Sequence, residues 1–184
     1  MRVITGLARG RVLKTLEGED VRPTTDRVKE AIFSIIQFEI EGREVLDLFA
    51  GSGQLGIEAL SRGAAYATFT DLSKDAVSVI KSNLLTTGLH KNSAVLQSDA
   101  MTFLRNTKKK FDIIFMDPPY SKGILQKALP LAAEVVSDGG VIICEHPYGE
   151  EMPQKAGKFE IYREYKYSKL ALTVYRLSQG DDAQ

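Results

Sequence analysis

The sequence has few of the residues that build disulfides and metal sites. Its 184 residues include one cysteine, Cys144, two histidines and no tryptophan. A single cysteine cannot close an intrachain disulfide, and one cysteine with two histidines is too few for a zinc site. We therefore predict a reduced protein that needs no metal.

Long apolar segments are also absent. No run approaches the roughly 18 apolar residues that a membrane span requires. Arg9 and Arg11 interrupt the N-terminal segment, where a signal peptide carries its apolar stretch. Both observations predict a cytoplasmic protein without a membrane partner.

The length of the chain suits one domain, since two domains would each be close to the minimum for a stable core. We predict a single domain over residues 1–184. Within it we expect a basic extension over 1–25, a catalytic core over 26–177 and a frayed polar tail over 178–184.

The chain has no net charge, because 24 lysines and arginines balance 24 aspartates and glutamates. This balance excludes proteins that hold nucleic acid through bulk charge alone. The charges are nevertheless unevenly distributed. The first fourteen residues contain Arg2, Arg9, Arg11 and Lys14 and no acid, whereas the other 170 carry 20 basic and 24 acidic side chains. A localised basic surface is therefore expected at the N-terminal segment.

Hydrophobic patterning predicts an α/β fold. A helix is expected from about Asp26, capped by Thr24 or Thr25. The strand candidates that follow are Val45–Ala50, Tyr66–Asp71, Ala94–Gln97, Asp112–Asp117 and Val141–Glu145. The helix candidates between them are Gln54–Arg62, Lys74–Thr87, Met101–Asn106 and Lys122–Val136. Two further segments, Phe159–Tyr167 and Lys169–Leu177, read as a hairpin, so we predict a mostly parallel sheet with an antiparallel edge.

Four successive predicted strands have an aspartate at or near their carboxyl ends. These residues are Asp47, Asp71, Asp99 and Asp117. Ligands of open α/β sheets bind where the strands end. We therefore expect at least three of the four carboxylates to line one pocket.

The glycine-rich turn after the first strand matches a dinucleotide-binding pattern. Gly51, Gly53 and Gly56 form G-x-G-x-x-G, and Asp71 follows at the spacing typical of NAD-binding proteins. An acid at Asp47 would repel the pyrophosphate of NAD. S-adenosylmethionine carries an ammonium and a sulfonium instead, so the local acidity favours that cofactor. Asp71 is then expected to accept from the ribose hydroxyls.

The segment Asp117-Pro118-Pro119-Tyr120 is the strongest chemical signal. Two prolines make a stiff turn that presents acceptors and no backbone donors. The Asp117 carboxylate and the Pro118 carbonyl suit an amino group with two N–H donors, and Tyr120 offers a face for base stacking. The alternative is a rigid turn in which the aspartate caps the next helix.

Several segments together resemble a known family. Asp47-Leu48-Phe49-Ala50-Gly51-Ser52-Gly53 with Asp117-Pro118-Pro119-Tyr120 is similar to class I methyltransferases that act on an exocyclic or amide nitrogen. The segments Arg22–Ala31 and Leu55–Ala64 narrow the resemblance to one family within this class. From Arg2 to about Leu177, the chain resembles the RsmD-like 16S ribosomal RNA guanine-N2 methyltransferases of bacteria. It departs from them at Asp71, where many relatives have glutamate, and at Tyr167-Ser168-Lys169, where a glycine is expected.

The resemblance implies a Rossmann-like class I methyltransferase sandwich with a small N-terminal β extension and helix. It also implies methyl transfer from S-adenosylmethionine to guanine N2 of 16S rRNA, free or in an assembling small subunit, by a monomer. The expected cofactor contacts are Asp47, Phe49, Gly51, Gly53, Asp71, Leu72, Asp99 and Ala100, with Asp99 accepting from the adenine amino group. The expected catalytic residues are Asp117, Pro118, Pro119 and Tyr120. The expected RNA contacts are Arg2, Arg9, Arg11, Arg22, Thr24, Thr25 and Arg27.

Other functions fit part of the pattern. The Asp-Pro-Pro-Tyr motif is shared with DNA adenine, DNA cytosine and release-factor glutamine methyltransferases. A catalytically silent RNA-binding assembly factor would keep the same fold. An NAD-dependent oxidoreductase is less favoured, because the proline turn has no purpose there. The alternative for Arg22 and Arg27 is that they brace the start of the first helix.

Overall fold

The computed structural model describes residues 1–16, 26–119 and 123–178, and in these it contains five α-helices and eight β-strands. The helices are α1 (Asp26–Ile35), α2 (Gln54–Ser61), α3 (Lys74–Thr87), α4 (Ala100–Asn106) and α5 (Ile124–Val135). The strands are β1 (Glu44–Asp47), β2 (Tyr66–Asp71), β3 (Ser93–Gln97), β4 (Phe111–Met116), β5 (Val136–Pro147), β6 (Lys155–Ala156), β7 (Phe159–Tyr167) and β8 (Leu170–Leu177).

All eight strands form one sheet in the order β3-β2-β1-β4-β5-β8-β7-β6. The strands from β3 to β5 are parallel, whereas β8 pairs antiparallel with both β5 and β7. The prediction of a mostly parallel sheet with an antiparallel C-terminal hairpin is confirmed. Because the order reverses beside β1, a crevice opens there at the carboxyl ends of the strands.

The sheet is buried on both faces. Alternate residues of β4 point to opposite sides, so that Ile113 and Phe115 belong to one apolar cluster while Ile114 and Met116 belong to the other. One cluster includes residues of α1, α2 and α3, and the other includes residues of α4 and α5. Burial on both sides explains why the central strands read as continuous apolar runs.

Most predicted elements agree with the structure, and β2 and α3 have the predicted bounds. The largest difference is β5, which begins at Val136 instead of Val141 and continues to Pro147. Gly139 and Gly140 obscured this strand, whose register with β4 is irregular between Phe111 and Ile113. Val136 was therefore wrongly assigned to α5. The short strand β6 and a 3-10 turn at His90–Asn92 were not predicted.

Two of the expectations about secondary structure fall wholly or partly on residues 17–25 and 179–184, which lie outside the described part of the chain. They are the cap of α1 at Thr24 or Thr25 and most of the frayed tail. Ser178, the first residue of that tail, donates its backbone N–H to the carbonyl of Lys158 at 2.9 Å. No helix among the described residues is long and apolar enough to cross a membrane.

The segment 1–16, the N-terminal arm, folds back on itself and is anchored by buried charges. Ile4 and Thr5 donate their backbone N–H groups to the Glu58 carboxylate of α2 at 2.8 and 3.0 Å. The Lys29 ammonium of α1 donates to the carbonyl of Arg2 at 2.7 Å and lies 3.7 Å from Glu58. Both charged side chains are fully buried, and burial lowers the pKa of Lys29. A buried pair stabilises only when its remaining polar atoms are satisfied, and here backbone groups and the Arg62 guanidinium, 2.9 Å from Glu58, complete it.

The tip of the arm packs on the C-terminal end of α2. Leu7 donates its backbone N–H to the carbonyl of Ser61 at 2.8 Å, and Ala8 donates to the Ser61 hydroxyl at 2.9 Å. A Cβ on Gly6 would lie 1.8 Å from the Ser61 carbonyl oxygen, so only glycine permits this approach. Helix α2 starts where the parallel strands end and runs back toward the side where they begin. The tip of the arm therefore lies toward the amino ends of the strands, on the side of the sheet opposite the carboxyl ends.

The turn between β7 and β8 contains a strained residue, Ser168, with a φ of 57°. An L-residue pays an energetic penalty in this left-handed region, whereas glycine does not. We expect Ser168→Gly to raise the free energy of unfolding by about 0.5–1 kcal/mol, measured by urea denaturation. The control is Ser78→Gly at an exposed site inside α3, where glycine should lower stability by about 0.5 kcal/mol. A lower free energy of unfolding in Ser168→Gly would show that Ser168 is not strained.

Candidate active site

A cleft of about 1050 Å³ lies at the carboxyl ends of β1 to β5. Five carboxylates are among its lining residues: Asp47, Asp71, Asp99, Asp117 and Glu145. The described residues that line it include no lysine, arginine or histidine side chain. The structure therefore brings all four predicted aspartates together in a cleft that electrostatically favours a cationic ligand.

Asp47 ends β1 and is 2% exposed. Its Oδ2 accepts the backbone N–H of Gly56 in α2 at 2.9 Å. Burial raises the pKa of Asp47 to about 8, against the opposing effect of the Gly56 hydrogen bond, and the charges of Asp117 and Asp71 raise it further. A cation in the cleft would favour the ionised form of this carboxyl group.

The glycine-rich turn is braced by Asp71. The Gly51 backbone N–H donates to Asp71 Oδ2 at 2.9 Å, and Ser73 donates to Asp71 Oδ1 at 2.8 Å. Gly53 adopts a φ of 80° as the N-cap of α2 and does not line the cleft. Gly53 is thus placed where the turn needs a left-handed residue, and its contact with a cofactor stays a prediction.

Asp99 is an exposed residue that caps α4. Its Oδ1 accepts the backbone N–H of Thr102 at 2.9 Å and the Thr102 hydroxyl at 3.0 Å. These two hydrogen bonds lower the pKa of Asp99. The carboxylate is consequently a fixed acceptor, and the following residue, Ala100, also lines the cleft.

The proline turn follows β4 directly. Asp117 is half-buried, Pro118 is buried and Pro119 is exposed, and all three line the cleft. Tyr120 lies outside the described residues. Phe49 and Leu72 supply apolar lining, and Leu72 is 69% exposed despite its apolar side chain. Leu72 therefore presents an accessible apolar surface at the mouth of the cleft.

Part of the cleft comes from the N-terminal arm, which sequence reasoning did not assign to it. Met1, Thr15 and Leu16 line the cleft. The fully buried Asn83 of α3 holds this part of the arm in place. Asn83 Oδ1 accepts the backbone N–H of Lys14 at 2.8 Å, and Asn83 Nδ2 donates to the carbonyls of Lys14 and Ser52 at 3.0 and 2.9 Å. These contacts join residues far apart in the chain, so no local pattern signals them.

The predicted RNA-contacting arginines are exposed but lie away from the cleft lining. Arg2, Arg9, Arg11 and Arg27 are all exposed and none lines the cleft. Arg9 belongs to the tip of the arm, toward the edge opposite the cleft. The other predicted RNA contacts, Arg22, Thr24 and Thr25, lie outside the described residues.

Cys144 and His146 both belong to β5 and are buried. Burial raises the pKa of the Cys144 thiol, which keeps it protonated and unreactive. His146 lies within the sheet, because β5 continues to Pro147. Its Nε2 lies 2.7 Å from the Thr173 hydroxyl, so the ring is a bonded part of the sheet.

The strand order and the position of the cleft define a Rossmann-like class I methyltransferase fold. The solved structure of the Escherichia coli protein yhhF superposes with a TM-score of 0.87 at 34% identity, covering 97% of this chain and 98% of that one.

The sequence model described as conserved hypothetical protein 95 matches residues 1–176, and the chain belongs to this family. The Bacillus subtilis protein YlbH is 41% identical over 181 residues, which cover 96% of this chain and 98% of YlbH. The Ribosomal RNA small subunit methyltransferase D of Escherichia coli is 35% identical over 184 residues, which cover 98% of this chain and 92% of that enzyme.

Proposed function

We propose that this protein transfers a methyl group from S-adenosylmethionine to the exocyclic N2 amine of a guanine in small-subunit ribosomal RNA. The observation that carries the proposal is the carboxylate-lined cleft that ends in the Asp117-Pro118-Pro119 turn. Similarity to the Escherichia coli small-subunit rRNA methyltransferase over nearly the whole chain supports the choice of RNA.

The lining residues fit S-adenosylmethionine better than NAD. The cofactor is a cation with no phosphate, and the described lining has five carboxylates and no basic side chain. Asp47 is the least exposed of the five acids, so its carboxylate suits a positive charge of the cofactor. Asp71 keeps lone pairs for the ribose hydroxyls beyond its two backbone bonds, and Leu72 offers an apolar contact for the adenine.

The proline turn fits the methyl acceptor. A guanine N2 lone pair is delocalised into the ring and needs precise alignment. The Asp117 carboxylate and the Pro118 carbonyl would accept hydrogen bonds from the two N–H groups of the amine. This would aim the nitrogen lone pair at the methyl group. When bound, S-adenosylmethionine would supply an electrophilic methyl group: an N–C bond would form as the S–C bond breaks to leave a neutral thioether, and the amine would pass one proton to Asp117 or to water. Alignment of this kind lowers a barrier by up to about 7–11 kcal/mol.

The target guanine must leave its stack, or already be unpaired, to reach this turn. We propose Tyr120 as the stacking partner of that base. RNA contacts outside the cleft lining are proposed for Arg2, Arg9, Arg11, Arg22, Thr24, Thr25 and Arg27, with Arg9 contacting RNA that extends beyond the site. Binding through arginines should weaken steeply with added salt, because phosphate contacts release counterions.

Labelled-cofactor incorporation tests the proposal. The protein is incubated with methyl-labelled S-adenosylmethionine and small subunits, naked 16S rRNA, DNA or release factor, and the modified group is mapped. We expect label on guanine N2 of small-subunit RNA. Label on DNA or protein, or RNA binding with no label at all, would overturn it. Calorimetry should show binding of S-adenosylmethionine and none of NAD.

We expect Asn83→Ala to weaken cofactor binding by about five- to tenfold and to lower the free energy of unfolding by about 2–3 kcal/mol. Three backbone groups lose their buried partner, and each such loss costs about 1 kcal/mol or more. Cofactor affinity falls because the arm and the Ser52 carbonyl beside the glycine turn lose their common support. Calorimetric titration well below the melting temperature measures the cofactor affinity, and urea denaturation measures the free energy of unfolding.

Ser61→Ala is the control for Asn83→Ala. It removes the hydroxyl that holds Ala8 and Thr5 at the tip of the arm, away from the cleft. Stability should fall, whereas cofactor affinity should stay within about twofold. Equal cofactor affinity in the two variants would mean that Asn83 acts on stability alone.

A further inference from the structure

A second cationic surface lies beside the proline turn and shares only Arg27 with the RNA contacts proposed above. We name it the strand-end rim and define it by Arg27, Tyr148, Lys166, Tyr167 and Lys169. Tyr148 follows the end of β5, and Lys166, Tyr167 and Lys169 surround the β7–β8 turn. Because β7 runs parallel to β5, these ends share the carboxyl edge of the sheet with the cleft.

Contacts tie the rim together. The Lys166 ammonium lies 4.8 Å from the centre of the Tyr148 ring and 3.2 Å from its hydroxyl. Tyr148 donates its backbone N–H to the carbonyl of Lys169 at 2.9 Å. Burial and the neighbouring Tyr165 raise the pKa of Tyr167, while the nearby charge of Arg27 opposes them. Tyr148 is 54% exposed, and all three cations are exposed.

The strand-end rim lies next to the proline turn. A small recess joins the proline turn to the rim, because Pro147, one of its lining residues, directly precedes Tyr148. The recess is lined by Pro118, Pro119, Leu125, Glu145, His146, Pro147 and Glu150. Two acids close to the rim are held in place by neutral donors: Glu150 accepts from the Gln126 amide at 3.0 Å, and Glu164 accepts from the Thr173 hydroxyl at 3.3 Å. The rim presents three exposed cations and an aromatic side chain beside the proposed acceptor position.

RNA is the partner that this combination fits. A phosphate backbone cannot approach five carboxylates without nearby cations, and the tip of the N-terminal arm lies toward the opposite edge. Exposed aromatic rings with lysines or arginines bind unpaired nucleotides by stacking and charge together. We propose that the strand-end rim holds the phosphates and an unstacked base next to the target guanine, an inference that rests on the proposed function.

The test compares two charge-matched double variants. Lys166→Gln with Lys169→Gln removes two cations from the rim. Lys91→Gln with Lys108→Gln removes two exposed lysines that precede β3 and β4, at the opposite edge of the sheet. Binding of naked 16S rRNA is measured against salt, and methyl transfer is measured on small subunits that lack the modification.

For the rim variant we expect about tenfold weaker RNA binding and a KM for small subunits raised by about the same factor. The slope of log affinity against log salt should become shallower by roughly 1–2, since each lost phosphate contact contributes about 0.7–0.9. Affinity for S-adenosylmethionine should not change. The control should stay within twofold throughout. Equal RNA affinity and equal salt slopes in the two double variants would overturn the proposal.

Tyr148 gives a second readout. Tyr148→Ala removes the stacking face and should weaken RNA binding by about five- to tenfold. Tyr148→Phe keeps the face, loses only the hydroxyl contact to Lys166, and should bind RNA within twofold of wild type. Wild-type RNA affinity in Tyr148→Ala would overturn the stacking role. If the wild-type protein transfers no methyl group, the proposed function fails, whereas the RNA-binding comparison still decides the rim.

Discussion

Asp117→Ala is expected to reduce methyl transfer by about a thousandfold or more while cofactor affinity stays within a few-fold. The Asp117 carboxylate follows β4 and is proposed to accept an N–H of the target amine beside Pro118. Without this carboxylate the N2 lone pair is no longer aligned with the methyl group. A thousandfold slower transfer corresponds to a barrier higher by about 4 kcal/mol. Single-turnover transfer to small subunits measures the rate, and calorimetry measures the cofactor affinity.

Asp117→Asn separates two roles of this carboxylate. The amide keeps an acceptor oxygen of nearly the same shape but is a far weaker base. If Asp117 only orients the amine, the asparagine variant should keep a substantial fraction of the rate; if it takes the proton, both variants should be equally slow. Near wild-type turnover in Asp117→Ala would remove Asp117 from the mechanism.

The part of the site that sequence reasoning predicted depends on local patterns. Asp71 ends β2 and Asp117 follows β4, and parallel strands bring their carboxyl ends to one edge of the sheet. That topology is enough to place Asp47, Asp99 and the glycine turn in the same cleft. The bounds of β2 and α3 agree for a similar reason, because each is enclosed by clear turn or cap residues, such as Ser73 and Gly88.

The part that was missed depends on contacts between distant segments. Nothing near Asn83 in the chain signals that it holds Lys14 and Ser52. The sequence showed the N-terminal arm as a basic segment, but its tip is placed by Ser61 and its base lines the cleft. Glycines inside β5 likewise hid a strand that only pairing with its neighbours reveals. Local periodicity carries no information about such pairings.

Asp47→Asn is expected to change stability and cofactor affinity in opposite directions. Burial raises the pKa of Asp47 from 3.8 to about 8. Between these values the unfolded chain is ionised while the folded protein holds the proton, so the free energy of unfolding falls as the pH rises from about 4 to about 8. Asparagine keeps an acceptor for the Gly56 N–H and cannot ionise. The variant should therefore melt about 4–8 °C above wild type at pH 8, equivalent to roughly 2 kcal/mol, and the difference should shrink toward pH 4.

Affinity for S-adenosylmethionine should respond the other way. A bound cation favours the ionised carboxyl group, so wild-type binding gains from each rise in pH up to about 8, whereas Asp47→Asn gains nothing from this group. At pH 8 the variant should bind about 10- to 100-fold more weakly, and the ratio of the two dissociation constants should narrow as the pH falls. Titration of the cofactor itself cancels in that ratio.

Asp75→Asn is the matched control for Asp47→Asn, since it removes one exposed carboxylate from the first turn of α3, outside the cleft lining. Its cofactor affinity should equal that of wild type at every pH. A variant at Asp47 that binds as tightly as wild type at pH 8, or that melts below it there, would show that this buried acid is not the counter-charge of the cofactor. Opposite changes in stability and affinity would instead mean that folding accepts an unfavourable buried carboxyl group because ligand binding requires it.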